Sequence, residues 1–222
     1  MIPLRDSQPS QSAPLVTVSL IVVNVFVFLY QLSLEPFSLN HFVAAWGVVP
    51  DRLRLSSLFT SMFLHGGWMH LIGNMWFLWI YGDNVEDILG RAKYILFYLG
   101  CGLAAALTHI AFNAGSRIPT IGASGAIAGV MGAYMVKFPR ARIVTLVPLV
   151  VFLTTVELPA YVILLYWFVI QFFSGVGAVA YSHLSQGGVA WFAHVGGFVA
   201  GVVLIYLLRP RERYRRRADL HW

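Results

Sequence analysis

The chain of 222 residues is 59% hydrophobic and 11% charged, under half the charged share of an ordinary soluble domain, about 25%. Nine acids and fifteen Lys and Arg cannot cover a water-facing surface of this size, so the composition excludes a soluble protein and points to an integral membrane one. The formal net charge of +6 does not mark a nucleic-acid partner. Its arginines concentrate at Arg209, Arg211, Arg213, Arg215, Arg216 and Arg217, directly behind an apolar segment, where a basic cluster is expected to meet anionic lipid headgroups on the cytoplasmic side. The one cysteine, Cys101, excludes an intramolecular disulfide.

In chain order, residues 1–14, "MIPLRDSQPSQSAP", read as a short polar cytoplasmic tail. A spanning helix requires about 20 mostly apolar residues, and the candidates are 15–34, 68–88, 94–113, 121–138, 159–181 and 189–208. The stretch 35–67 holds Trp46, Phe59, Met62 and Phe63 but few charges, which predicts a folded, partly embedded first outer loop. Residues 143–156, "IVTLVPLVVFLTTV", are apolar but short, β-branched and broken by Pro148. They are expected to be interfacial or re-entrant. Residues 209–222 form a basic cytoplasmic tail. No internal repeat appears, and the expectation is an all-α polytopic membrane protein, one six-span helical bundle over 15–208.

Charge tests the orientation. With both termini inside, Arg5, Arg91, Lys93, Lys137, Arg140, Arg142 and the six tail arginines are cytoplasmic, leaving Arg52, Arg54 and Arg117 outside. That bias agrees with the positive-inside rule. A seventh span at 143–156 would place the arginine-rich tail outside.

Four polar side chains then fall at one depth. Ser124 in "TIGASGAIAG", His194 in "WFAHVGGFVAG", and His70 with Asn74 in "HGGWMHLIGNMWF" lie in the first two turns of the fourth, sixth and second spans. Even-numbered spans run from outside to inside, so these groups sit just below the outer surface, where polar groups are costly and mark function. His70 and Asn74, four apart, share a helical face. They suit a developing oxyanion or a hydrogen-bonded packing pair equally well. His194 shares its face with Gly197 and Gly201, and Ser124 stands beside Gly125, Gly129 and Gly132. Such stripes let helices approach closely. They either bring the hydroxyl to the imidazole or merely pack the bundle.

Rival chemistries lack residues. His65 and His70 would stand about 140° apart on a continuous helix, and there is no HExxH motif, second cysteine or acid near His194, so neither metal nor cofactor is expected. His41, His109, His183 and His221 show no partner pattern and read as structural. "GASG" is not the G-x-S-x-G nucleophile elbow. A transporter or channel would carry charges at mid-membrane, and almost none are present.

Taken together and in this order, "HGGWMHLIGNM", "GASGAIAG" and "AHVGGFVAG" resemble the rhomboid family of intramembrane serine proteases, over roughly residues 15–208. "YGDNVEDILG" at 81–90 is also similar, and its acids are expected to fix the cytoplasmic end of the second span. The resemblance implies that Ser124 is the nucleophile and His194 the general base and later acid, a dyad without a carboxylate. It implies an oxyanion hole from the Ser124 backbone N–H, His70 and Asn74, with Gly125, Gly129, Gly197 and Gly201 packing the helices. It further implies a mobile cap near 181–188 and transmembrane protein substrates cut in or beside their helix near its outer end. A helper relative that only escorts membrane helices would usually lack the serine or the histidine, and both are present. Two departures stand out. The Trp-Arg pair that many members carry in the first outer loop is absent, the nearest residues being Trp46, Arg52 and Arg54. Ala128 stands where some members stack a tyrosine on the histidine, so either another aromatic holds the ring or it is held less firmly. The expected location is a prokaryotic plasma membrane, with an organellar membrane as the alternative, both termini cytoplasmic.

Overall fold

The computed structural model describes residues 2–149, 152–180 and 190–208. Each of the six apolar segments forms a helix. In chain order the elements are strand β1 (Ile2–Asp6), α1 (Leu15–Ser33), α2 (Pro36–Trp46), α3 (Ser57–Thr60), α4 (Trp68–Leu89), α5 (Arg91–Phe112), α6 (Ser124–Lys137), β2 (Arg142–Leu149), β3 (Phe152–Pro159), α7 (Ala160–Ala180) and α8 (Trp191–Leu207). By length and composition, Leu15–Ser33, Arg91–Phe112 and Ala160–Gly177 are long and apolar enough to cross a membrane. α6 and α8 are shorter, at 14 and 17 residues.

The chain is mostly helical, but the all-α expectation is corrected by a three-stranded antiparallel sheet of order β1-β2-β3. In the region of 143–156, β2 and β3 pair antiparallel in a register that runs from Arg142↔Pro159 to Leu149↔Phe152. Ile143 and Thr145 are buried and alternate with more exposed neighbours, the period-2 pattern of a half-buried strand. The β-branched residues that make this run a poor helix fit a pleated surface. The expected polar tail supplies the third strand, with Ile2 opposite Leu146 and Asp6 opposite Ile143. The Tyr134 hydroxyl of α6 donates to the Asp6 carboxylate.

The acids of "YGDNVEDILG" bind the chain that leads into α1. Glu86 is 2% exposed, and its carboxylate accepts the backbone N–H groups of Val16 and Thr17 at 2.9 and 2.8 Å and the Thr17 hydroxyl at 2.8 Å. α1 has no capping side chain of its own, so an acid from α4 satisfies its first donors and meets the positive end of its dipole. Asp83 accepts from the Ser10 hydroxyl at 2.6 Å.

At the centre stands α6, buried continuously from Gly125 to Tyr134. A Cβ on Gly197 would run into the Gly125 carbonyl, and one on Gly201 into that of Gly129. α6 and α8 therefore meet backbone to backbone along the expected glycine stripes.

Candidate active site

Ser124 opens α6 immediately after a turn that only glycine suits. Gly122 has φ +127°, in the left-handed region where a side chain is strained. Its N–H donates to the Ser61 carbonyl at 2.9 Å, while Thr120 and Val48 exchange backbone hydrogen bonds of 2.8 and 3.0 Å. The first loop thus holds the approach to the serine. At the start of a helix the backbone N–H groups have no intrahelical acceptor, so the amide of Ser124 is placed to bind an oxygen.

The glycine contacts between α6 and α8 bring His194 to Ser124, with Nε2 2.8 Å from Oγ. On its other side, Nδ1 lies 2.6 Å from Oε1 of Gln171 on α7. His194 is 8% exposed and Gln171 7%. Trp167 faces the imidazole at 5.7 Å between centroids and Trp191 meets it edge-on at 6.5 Å. These tryptophans are the aromatic support that Ala128 cannot provide.

His70 and Asn74 converge on the same turn. His70 Nδ1 accepts from the Gly66 N–H at 3.3 Å, which leaves the proton of the neutral ring on Nε2. A Cβ on Gly122 would lie 2.7 Å from that Nε2 and 3.8 Å from Asn74 Nδ2. Asn74 Nδ2 is buried without a partner, an orphan donor of the kind that calls for an explanation. Two N–H donors therefore point over Gly122, two residues before Ser124.

Several neighbours escaped sequence reasoning. Gln31 grips the backbone of His65, accepting its N–H at 2.9 Å and donating to its carbonyl at 3.1 Å. The His65 ring stands edge-on to His70 at 5.1 Å and is 2% exposed. Burial pushes its pKa down to about 4. His109, read as structural, has Nε2 2.7 Å from the Thr120 hydroxyl, and with Ser124 it lines a cavity of about 40 Å³, room for a water molecule. Gln171 and Gln31 gave a signal, each as an amide in an apolar run. In the first loop, Thr60 donates to the Trp46 carbonyl at 2.7 Å and Arg54 to that of Ala45 at 3.4 Å, which anchors α2 without a Trp-Arg pair. The expected cap at 181–188, His183, His221 and the tail arginines lie outside the described residues.

A polytopic helical protein with a buried serine–histidine pair between two glycine-packed helices is the class that fold and site define. The chain belongs to the rhomboid family, whose Rhomboid domain model matches residues 52–211. It is 29% identical over 167 residues to Rhomboid protein 1, mitochondrial, of Saccharomyces cerevisiae, covering 72% of this chain and 44% of the yeast protein. To the presenilin-associated rhomboid-like protein, mitochondrial, of Bos taurus it is 30% identical over 128 residues, 56% of this chain and 33% of the bovine one. RHOMBOID-like protein 1 of Arabidopsis thaliana is 29% identical over 159 residues, 71% and 36% of the two chains. The chain thus spans less than half the length of these relatives. Two of the names say mitochondrial of their own proteins, and none supports a prokaryotic plasma membrane for this one.

Proposed function

We propose that this chain is an intramembrane serine endopeptidase that cuts transmembrane proteins in or next to their membrane helix, near its outer face. In this reading the helices of all six apolar segments cross the membrane with both termini cytoplasmic, and 15–208 is the catalytic domain. The tail arginines rest on anionic headgroups. The observation that carries it is the 2.8 Å separation of Ser124 Oγ and His194 Nε2, a nucleophile and a base within hydrogen-bond reach in a buried site.

His194 takes the hydroxyl proton as Ser124 Oγ attacks the scissile carbonyl. The tetrahedral oxyanion accepts hydrogen bonds from the Ser124 N–H, His70 Nε2–H and Asn74 Nδ2–H, and each such donor contributes about 2.7–4 kcal/mol in well-studied hydrolases. His194 returns the proton to the leaving amine, and a water activated by the same imidazole hydrolyses the acyl-enzyme. A helix hides its carbonyls in hydrogen bonds to the amides four residues on, so the substrate segment must unwind first, and small or helix-weakening residues there favour cleavage.

The test is cleavage of a single-span substrate in liposomes by the full chain beside Ser124→Ala and His194→Ala, with a fluorophosphonate probe for the serine. Cleavage and labelling by the parent alone support the reading. A parent that neither cleaves nor labels sinks it.

A further inference from the structure

An imidazole acts as a base only through the nitrogen that carries no proton, and the partner of the other nitrogen decides which one that is. For His194 that partner is the Gln171 side-chain oxygen, 2.6 Å from Nδ1. A carbonyl oxygen only accepts, so the proton must reside on Nδ1, and the Nε2 lone pair then faces the Ser124 hydroxyl. A turned amide would present NH₂ to Nδ1 and reverse the tautomer, with Nε2–H pointing at the serine and no base to receive its proton.

Trp167 sits four residues before Gln171, on the same face of α7, with its ring against the imidazole at 5.7 Å between centroids. α7 therefore supplies both an acceptor and a wall. The titratable side chains whose charge reaches His194 are His70 on α4 and His109 on α5, and no carboxylate acts on it among the described residues.

We propose that Gln171 is a positioning residue that converts the serine–histidine pair into a three-helix relay, Ser124–His194–Gln171, in which a neutral amide holds the imidazole in its productive tautomer. This rests on reading Ser124 and His194 as the catalytic pair. When His194 becomes the imidazolium, Nδ1–H points at an amide dipole rather than a full negative charge. The base is correspondingly weaker than one backed by a carboxylate.

The test combines kinetics with a tautomer measurement on the full chain in the same liposomes or detergent. Gln171→Leu should lower kcat about 10²-fold with KM within about twofold, since a misdirected base costs turnover rather than binding. Gln171→Glu keeps an acceptor at the same reach and should retain most activity. Its carboxylate favours the imidazolium, so the acid limb of the kcat profile should move to higher pH by about one unit or more. In ¹⁵N-histidine spectra, with His194 assigned by comparison with His194→Ala, the parent should show Nδ1–H alone. Gln171→Leu should show mixed tautomers. Parental kcat and pH profile in Gln171→Leu, or Nε2–H in the parent spectrum, overturns the proposal even where Ser124-dependent cleavage stands. Should the leucine variant not fold, the parent spectrum and the glutamate pH profile still decide. A parent without cleavage or probe labelling instead fails the protease reading, and the tautomer spectrum continues to test the Gln171 contact.

Discussion

Gly201 of α8 lies so close to the Gly129 carbonyl of α6 that there is no room for a Cβ between them. The serine–histidine distance is set by that contact, because both reactive groups ride on these two helices. Gly201→Ala must push α8 outward. Overpacking of this kind costs about 1–3 kcal/mol. The expected result is a lower thermal unfolding midpoint in detergent together with a fall in kcat larger than the change in KM. An unchanged midpoint and unchanged turnover would show that the helices have slack.

The donors over Gly122 make a separate prediction. Asn74→Ala and His70→Ala should each lower kcat about 10²–10³-fold, the loss seen on removing one oxyanion donor elsewhere. Fluorophosphonate labelling of Ser124 should slow in parallel, while KM changes little. Variants that lose substrate affinity but keep kcat would make the two residues a binding or packing pair.

Glu86 is a structural carboxylate, with three donors from Val16 and Thr17. Glu86→Ala leaves the first turn of α1 unsatisfied, at a cost of about 2–3 kcal/mol for hydrogen bonds to a charged group. A fall in midpoint with near-parental activity per folded molecule is expected at temperatures well below it.

Acidity should act on the N-terminal strand. Burial raises the Asp6 pKa from 3.8 to about 6, so the native state holds a proton the unfolded chain has released. Its contribution to stability is full below about pH 4 and is lost as pH rises to about 6. His65 works the other way. Its pKa is pushed down to about 4, so its contribution is present at neutral pH and lost on acidification through the same window. The two oppose each other, and the parent profile alone is uninformative. Thermal midpoints of Asp6→Asn against the parent should show a difference that moves in the variant's favour between pH 4 and 6 and stays constant above. A difference independent of pH would refute the assignment.

Ser124, His194, His70 and Asn74 were legible because hydroxyl, imidazole and amide groups are conspicuous in apolar runs, and because the expected topology puts the first turns of the second, fourth and sixth apolar segments at one depth. Gln171 was missed although it gives the same signal. α7 runs in the opposite direction, so the matching depth lies near its twelfth residue rather than its second turn. The sheet was invisible for another reason: β1 and β2 are some 140 residues apart, and nothing local in a polar tail announces a partner that distant. Gln31 and His109 act through contacts with the loops at His65 and Thr120, which spacing along one helix cannot reveal.

α6 has 14 residues and its neighbours α4 and α5 have 22 each, about 21 Å against 33 Å at 1.5 Å per residue. A short rod enclosed by longer ones ends below their rims. At its first residue, Ser124 lines a small cavity of about 40 Å³, and near its other end Tyr134 meets the Asp6 strand. α6 is buried by the other helices from Gly125 to Tyr134, so in the proposed six-span arrangement its shortness asks no thinning of the surrounding bilayer.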